Sequence, residues 1–408
     1  MHLYDLSEFF SLSRSLHYNL SSKTSARHYV LKYITDMKYV STSDKAVLMR
    51  ALEFLMQAYK PIKPRKLGTP AVLHPIRACA LLCRAMTRIE LADVLTEMFH
   101  DLFEDVYEFR VDDKSWCDLM SREFTEYLFK SGDEPLGHQI FSRLVRLTRR
   151  DSESYYQYIG RVLEAPGESA VIVRAKLADR LDNTMDMRID LDEPREKMNF
   201  FEVVFSNLFS GTVEQPPKAE IHPPPGPLNG AWRLYTLFKN AVLLSLVRQK
   251  GFVVAGQGFD ILFHSLAVAS LNEAMRIYLH IWTFHKKMLD DPRGLLLDAM
   301  SYCASDRLNM VTIPDERHRL DGLFSAYFDP PREEVPVNAR TKDEMEEIRK
   351  ALSLERKRRL DALYADKNLM IQAAIAFVVI FLNFLQDPDY YIQGITETGI
   401  SPTEPEDR

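Results

Sequence analysis

Along most of the chain, apolar residues recur three and four positions apart instead of alternating with polar ones. DKAVLMRALEFLMQAY (Asp44–Tyr59) and ELADVLTEMFHDLFEDV (Glu90–Val106) each gather their apolar side chains on one helical face. Period-two alternation is scarce, so the pattern predicts an all-α fold. Helical spacing stops at EQPPKAEIHPPPGPLNG (Glu214–Gly230), where six prolines between Pro216 and Pro227 remove backbone donors and favour extended chain. Beyond it, WRLYTLFKNAVLLSLVRQ, FDILFHSLAVASLNEAMRIYLHIWTFHKKML and the strongly charged DEMEEIRKALSLERKRRLDALYA resume the helical period. The expected organisation is a helical domain over 1–212, a proline-rich linker over 213–230, a second helical domain over 231–390 and a flexible acidic tail over 391–408.

Leu369–Leu385 is a nearly unbroken apolar run of seventeen residues, against about 20 needed to cross a bilayer. Gln372 and Asn383 interrupt it, so it reads as the core helix of an all-α domain, with membrane association through 369–385 as the alternative. Composition narrows the picture further. With 408 residues, 46% apolar and 27% charged, the chain has the profile of a globular protein of about two domains. Its 52 basic residues against 58 acidic ones give a net charge of −6, which offers no general attraction for nucleic acid or anionic membrane. An anionic ligand would need a local basic pocket. Cys79, Cys83, Cys117 and Cys303 are too few and too scattered for a disulfide framework, and no secretory signal pattern opens the chain; a cytoplasmic location is expected.

The chemistry concentrates in the first half. His74 in AVLHPIRA, the adjacent His100 and Asp101 in EMFHDLFEDV, and Asp179 in VRAKLADRLDNT are metal-ligand residue types on predicted helices. Imidazoles and carboxylates without thiolates suit Mn²⁺, or another divalent cation such as Fe²⁺, Zn²⁺ or Mg²⁺. On one helix, Asp101, Glu104 and Asp105 would stand about 100°, 40° and 140° around from His100. Glu104 and Asp105 are then placed to orient or deprotonate a water beside the cation. Asn183, one turn after Asp179, would project beside it and hydrogen-bond a base or sugar. Lys63, Arg65 and Lys66 in KPRKLGTPAVLHP supply basic groups for a phosphate. Tyr155, Tyr156 and Tyr158 either stack on a base or pack in the core.

Taken together, R-K-x-G-x-P-x-x-x-H-P, H-D-x-x-E-D and K-L-A-D-R-x-x-N resemble the HD superfamily of metal-dependent phosphohydrolases. The pattern is most similar to the hydrolase domain of Rel/Spo-type proteins, over residues 63–105 and 144–209. That resemblance implies removal of the 3′-pyrophosphate from guanosine tetra- and pentaphosphate alarmones, with His74, His100, Asp101 and Asp179 as Mn²⁺ ligands. It further implies Glu104 and Asp105 as the catalytic acidic pair, and Arg65, Lys66 and Asn183 as substrate contacts. Leu67, Thr69 and Ala71 stand where the family loop carries serine, glutamate and tyrosine, and Asp182 where a histidine is usual; these departures are expected to touch substrate recognition more than the metal. The unmatched region after Gly230 motivates an alternative from another class, a nucleotide-binding sensor that signals to a protein partner through its second domain.

Overall fold

The computed structural model describes residues 2–21, 27–36, 38, 40–65, 68–106, 114–129, 134–150, 153–164, 169–187, 199–210, 229–252, 258–305, 307–315, 317–329 and 342–401. In chain order the helices are α1 (Leu6–Ser21), α2 (His28–Ile34), α3 (Thr42–Ala58), α4 (Leu73–Ala85), α5 (Leu91–Met98), α6 (Leu102–Asp105), α7 (Lys114–Phe129), α8 (Glu134–Leu147), α9 (Tyr155–Leu163), α10 (Ser169–Asp186), α11 (Phe200–Phe205), α12 (Gly230–Gln249), α13 (Phe259–His285), α14 (Pro292–Ala304), α15 (Lys342–Ala365) and α16 (Lys367–Gln386). A π-type turn, Ser206–Ser210, continues α11. Among the described residues the only strands are the two-residue pair Ile395–Thr396 and Gly399–Ile400. The fold is all-α, as the periodicity predicts. Several helix starts carry side-chain acceptors for their orphan amides: Ser41 accepts from the Asp44 N–H at α3, Asp291 from Gly294 ahead of α14, and Asp366 from Leu369 at α16.

The chain divides into two compact units, one of Met1–Arg150, Tyr158–Ile189 and Lys250–Leu266, the other of Asp151–Gln157, Asp190–Gln249 and Ala267–Arg408. Most of the expected linker, through residue 228, lies outside the described residues, and the division is not a single cut there. Residues 250–266 join the first unit, where Gly258, at φ +84°, lies so close to the Ala85 carbonyl that a Cβ would approach it to 2.7 Å. Helix α11 joins the second, where Phe200 meets the Tyr278 ring edge-on at 5.3 Å.

In the first unit α4 is central. All its residues except Arg84 are buried, and it packs against α10, α5, α2 and α1. Cys79 and Cys83 serve as packing residues there. In the second unit α16 is long and apolar enough to cross a membrane, with a mean hydropathy of 2.1, and 72% of that window is buried against α14, α12 and α15. Its interrupting Gln372 is buried too and its amide NH2 donates to the Asp298 carboxylate at 2.6 Å, a partner for the donor half of a polar group in a core helix. Residues 391–401 differ from a loose tail. Ile392 and Ile395 are buried, and their backbones bond the Ser245 hydroxyl and the Gln249 amide, each at 3.0 Å, contacts that tie this stretch to α12.

Candidate metal centre

Three segments of the first unit converge. His74 lies in the first turn of α4, His100 and Asp101 between α5 and α6, and Asp179 on α10. The helix expected to run from Glu90 to Val106 is broken at the His-Asp pair: α5 ends at Met98, Phe99 takes φ/ψ −110°/6° and Asp101 −98°/3°, and α6 starts at Leu102. These angles fall in the sparsely populated bridge region common at active sites. The packing explains the break. Met98, Phe99, Leu102 and Phe103 are all buried, and the local turn lets these four fill the core while both intervening polar side chains face the site.

One ligand atom from each of His74, His100, Asp101 and Asp179 lies within 4.8 Å of the others. Nε2 of His74 is 3.0 Å from Asp101 Oδ2 and 3.2 Å from Asp179 Oδ1. Nε2 of His100 is 3.2 Å from Asp101 Oδ1, 3.6 Å from Asp179 Oδ1 and 3.3 Å from the His74 Nε2. Ligands about 2.1 Å from one cation and at right angles to each other lie about 3.0 Å apart, so the spacing fits a shared ion. Tautomers strengthen the case. His74 Nδ1 faces Asp182 Oδ2 at 2.7 Å and His100 Nδ1 faces the Glu97 carbonyl at 2.8 Å, partners that place the ring proton on Nδ1 and turn both Nε2 lone pairs inward. Two acceptor nitrogens and two carboxylates then face one another across about 3 Å, an arrangement that needs a cation or trapped protons between them. The group could hold a metal ion.

The electrostatics have the same origin. Burial opposes charge on His74, yet hydrogen bonds to Asp101, Asp179 and Asp182 outweigh it and lift the imidazole to about 10. His100 is likewise held well above its ordinary value, Asp101 and Glu97 overcoming its burial. Asp179 is buried, but Lys176 and the two imidazoles hold its carboxyl well below the usual range. Asp182, also buried, is lowered to about 2 by Arg77 and His74.

At the rim, Glu104 is exposed as a residue and its Oε1 accepts from the Arg149 N–H at 2.7 Å. Desolvation of the carboxyl group, and then the negative Asp101, push it up to about 7. Asp105 accepts from the Tyr59 hydroxyl at 3.0 Å. Arg65 turns toward α10, donating to Asn183 Oδ1 at 2.9 Å and Asp186 Oδ2 at 3.2 Å. Asn183 in turn donates to Asp179. The sequence-expected base contact and phosphate contact are thus bonded to one another beside the Asp179 carboxylate. Lys66 lies outside the described residues. Tyr156 and Tyr158 are buried, the second donating to the Leu147 carbonyl, so both are core residues and not stacking surfaces.

Sequence reasoning missed the supports. Arg77 is fully buried and grips Asp182 through Nε at 2.8 Å and Nη2 at 3.0 Å, with Asp186 at 2.8 Å. An arginine inside the apolar helix IRACALLC was the available signal, since a charge there demands a partner. Asp182, expected to concern substrate recognition, faces Nδ1 of His74, a residue of the group that could hold a metal ion. Glu97 is also fully buried, with Oε1 3.7 Å from His100 Nδ1. No known protein family matches the chain, and neither a curated protein nor a solved structure is detectably similar to it.

Proposed function

We propose that the chain is an HD-type metal-dependent phosphohydrolase acting on a nucleotide, with Mn²⁺ as the leading cation and the 3′-pyrophosphate of guanosine tetra- or pentaphosphate as the leading target. The observation that carries this reading is the convergence of His74, His100, Asp101 and Asp179 with both imidazole Nε2 atoms turned inward. A divalent cation held by these four groups supplies Lewis acidity for a phosphoryl oxygen and acidifies water. The protein's own groups do the rest. Glu104, lifted to about 7, takes the proton of the attacking water as the water oxygen bonds the phosphorus carried by the ribose 3′ oxygen; the bond between that phosphorus and the 3′ oxygen breaks, the 3′ oxygen takes up the proton and pyrophosphate leaves. Tyr59 holds Asp105 beside it. Arg65, fixed by Asn183 and Asp186, offsets negative charge that builds on the phosphoryl oxygens.

The test is mass-spectrometric product analysis of the purified full chain with Mn²⁺ and a nucleotide panel. Multiple turnovers releasing pyrophosphate from guanosine tetraphosphate are expected, lost on chelation. Tight nucleotide binding without turnover would replace the enzyme by the sensor, signalling to a partner. Absence of Mn²⁺ binding would remove the basis of both.

A further inference from the structure

Helix α11 and the π turn after it carry apolar side chains on opposite faces. Phe200, Val203 and Asn207 are buried in the second unit, where Asn207 donates to the Pro292 carbonyl at 3.1 Å. The other face is formed by Phe201, Phe205 and Phe209, which are 66%, 64% and 72% exposed, with half-buried Val204 and Leu208 between them. Positions i, i+3, i+4, i+7 and i+8 make the stripe that a helix ordinarily buries against a neighbour. The Phe205 and Phe209 rings lie 4.7 Å apart, joined into one aromatic surface. Helix α14, packed beside the π turn, carries exposed Leu297 and Met300 of its own.

Size and charge decide what covers this face. The three phenylalanines expose the equivalent of about two whole side chains, on the order of 400 Å². That alone is comparable to the largest apolar patch of an ordinary monomer and is about half of the roughly 800 Å² that each partner contributes to a stable interface. Between Asn199 and Ser210 the only charged residue is Glu202. A peripheral membrane helix instead surrounds its apolar face with lysine and arginine. With Glu202 as the single charge in this segment, the aromatic face sets little like charge against its own copy, as a twofold contact of one patch with itself requires.

We propose that Phe201, Phe205 and Phe209 form the interface of a homodimer in which α11 of one protomer packs on α11 of a second copy. Sedimentation velocity of the full chain across a dilution series should show a concentration-dependent dimer. The double variant Phe205→Glu/Phe209→Glu should weaken the dimer by on the order of 100-fold, as loss of a hot spot does, with unchanged circular dichroism. A wild-type chain that stays monomeric throughout, or a dimer unmoved in a folded double variant, overturns the proposal. If that variant does not fold, Phe205→Cys supplies the second measurement: oxidation should link two protomers covalently, and failure to do so overturns it. Flotation of the wild-type monomer with phosphatidylcholine vesicles would assign the face to lipid and also overturn it.

Discussion

The Nδ1 atom of His74 lies 2.7 Å from Asp182 Oδ2, and the same carboxylate grips the buried guanidinium of Arg77. One aspartate therefore fixes the tautomer of an expected metal-ligand histidine and neutralises a fully buried arginine. Asp182→Ala should lower stability by about 3 kcal/mol, because a buried charge loses its principal partner, and weaken Mn²⁺ binding by about 10- to 100-fold. Asp182→Asn keeps a hydrogen-bond acceptor and should lose less of both. Denaturant unfolding and calorimetric titration measure the two effects. Unchanged Mn²⁺ affinity in both variants would show that Asp182 has no hold on His74.

The residues that meet at this site were legible because their types and local contexts are distinctive: His74 before a proline, His100 beside Asp101, and Asp179 within KLADR. The helical class was legible because each helix buries one face and so writes its period into the chain. The break between α5 and α6 was not. MFHDLF continues the apolar period without a glycine or proline, and only tertiary packing of Phe99 and Phe103 separates a kinked solution from a straight helix. The bonds from Asp182 to His74 and Arg77 likewise span more than a hundred residues; such pairings depend on how α4 and α10 pack, which no local pattern encodes.

Glu97 is a buried carboxylate whose two oxygens have no hydrogen-bond donor among the described residues. Burial, partly offset by His100, lifts it from the ordinary 4.5 to about 8. Between these values the native state binds a proton that the unfolded state has released, so stability of the metal-free protein should fall as pH rises through this window and level off above it. The histidines contribute in the same direction at higher pH, so the comparison with Glu97→Gln isolates the carboxylate. In chelator, the variant should become more stable than wild type by an increasing margin from about pH 4.5 to 8, reaching a few kcal/mol at about 1.4 kcal/mol per pKa unit. A pH-independent difference in unfolding free energy would mean that Glu97 is not the group carrying this penalty.

Protons and a cation compete for the two inward nitrogens. His74 is raised to about 10 and His100 well above its ordinary value in the absence of metal, whereas a ligating imidazole must present its lone pair. Mn²⁺ binding should therefore release protons, and apparent affinity should climb with pH across the neutral range by up to about tenfold per unit for each proton displaced. Calorimetry in two buffers of different ionisation enthalpy counts those protons directly. An affinity flat from pH 6 to 9 would place the metal on other groups.

Asp101 and Glu104 are three residues apart, yet their surroundings assign them different tasks. Asp101 approaches both imidazoles, at 3.0 and 3.2 Å, and they hold its carboxyl well below the ordinary range despite burial. Glu104 sits at the solvent edge on the Arg149 amide and is raised instead. Removing the first group should dismantle the cation site, and neutralising the second should leave it standing. Asp101→Ala is expected to abolish Mn²⁺ binding and turnover together. Glu104→Gln should keep Mn²⁺ affinity within a few-fold while kcat falls by about 10²- to 10⁴-fold, the usual worth of a general base, with KM little changed. Calorimetric titration and steady-state kinetics on the same preparations distinguish the roles: parallel loss of affinity and rate in Glu104→Gln would move Glu104 in among the ligands, and full activity in Asp101→Ala would leave the convergence of His74, His100 and Asp179 without a catalytic purpose.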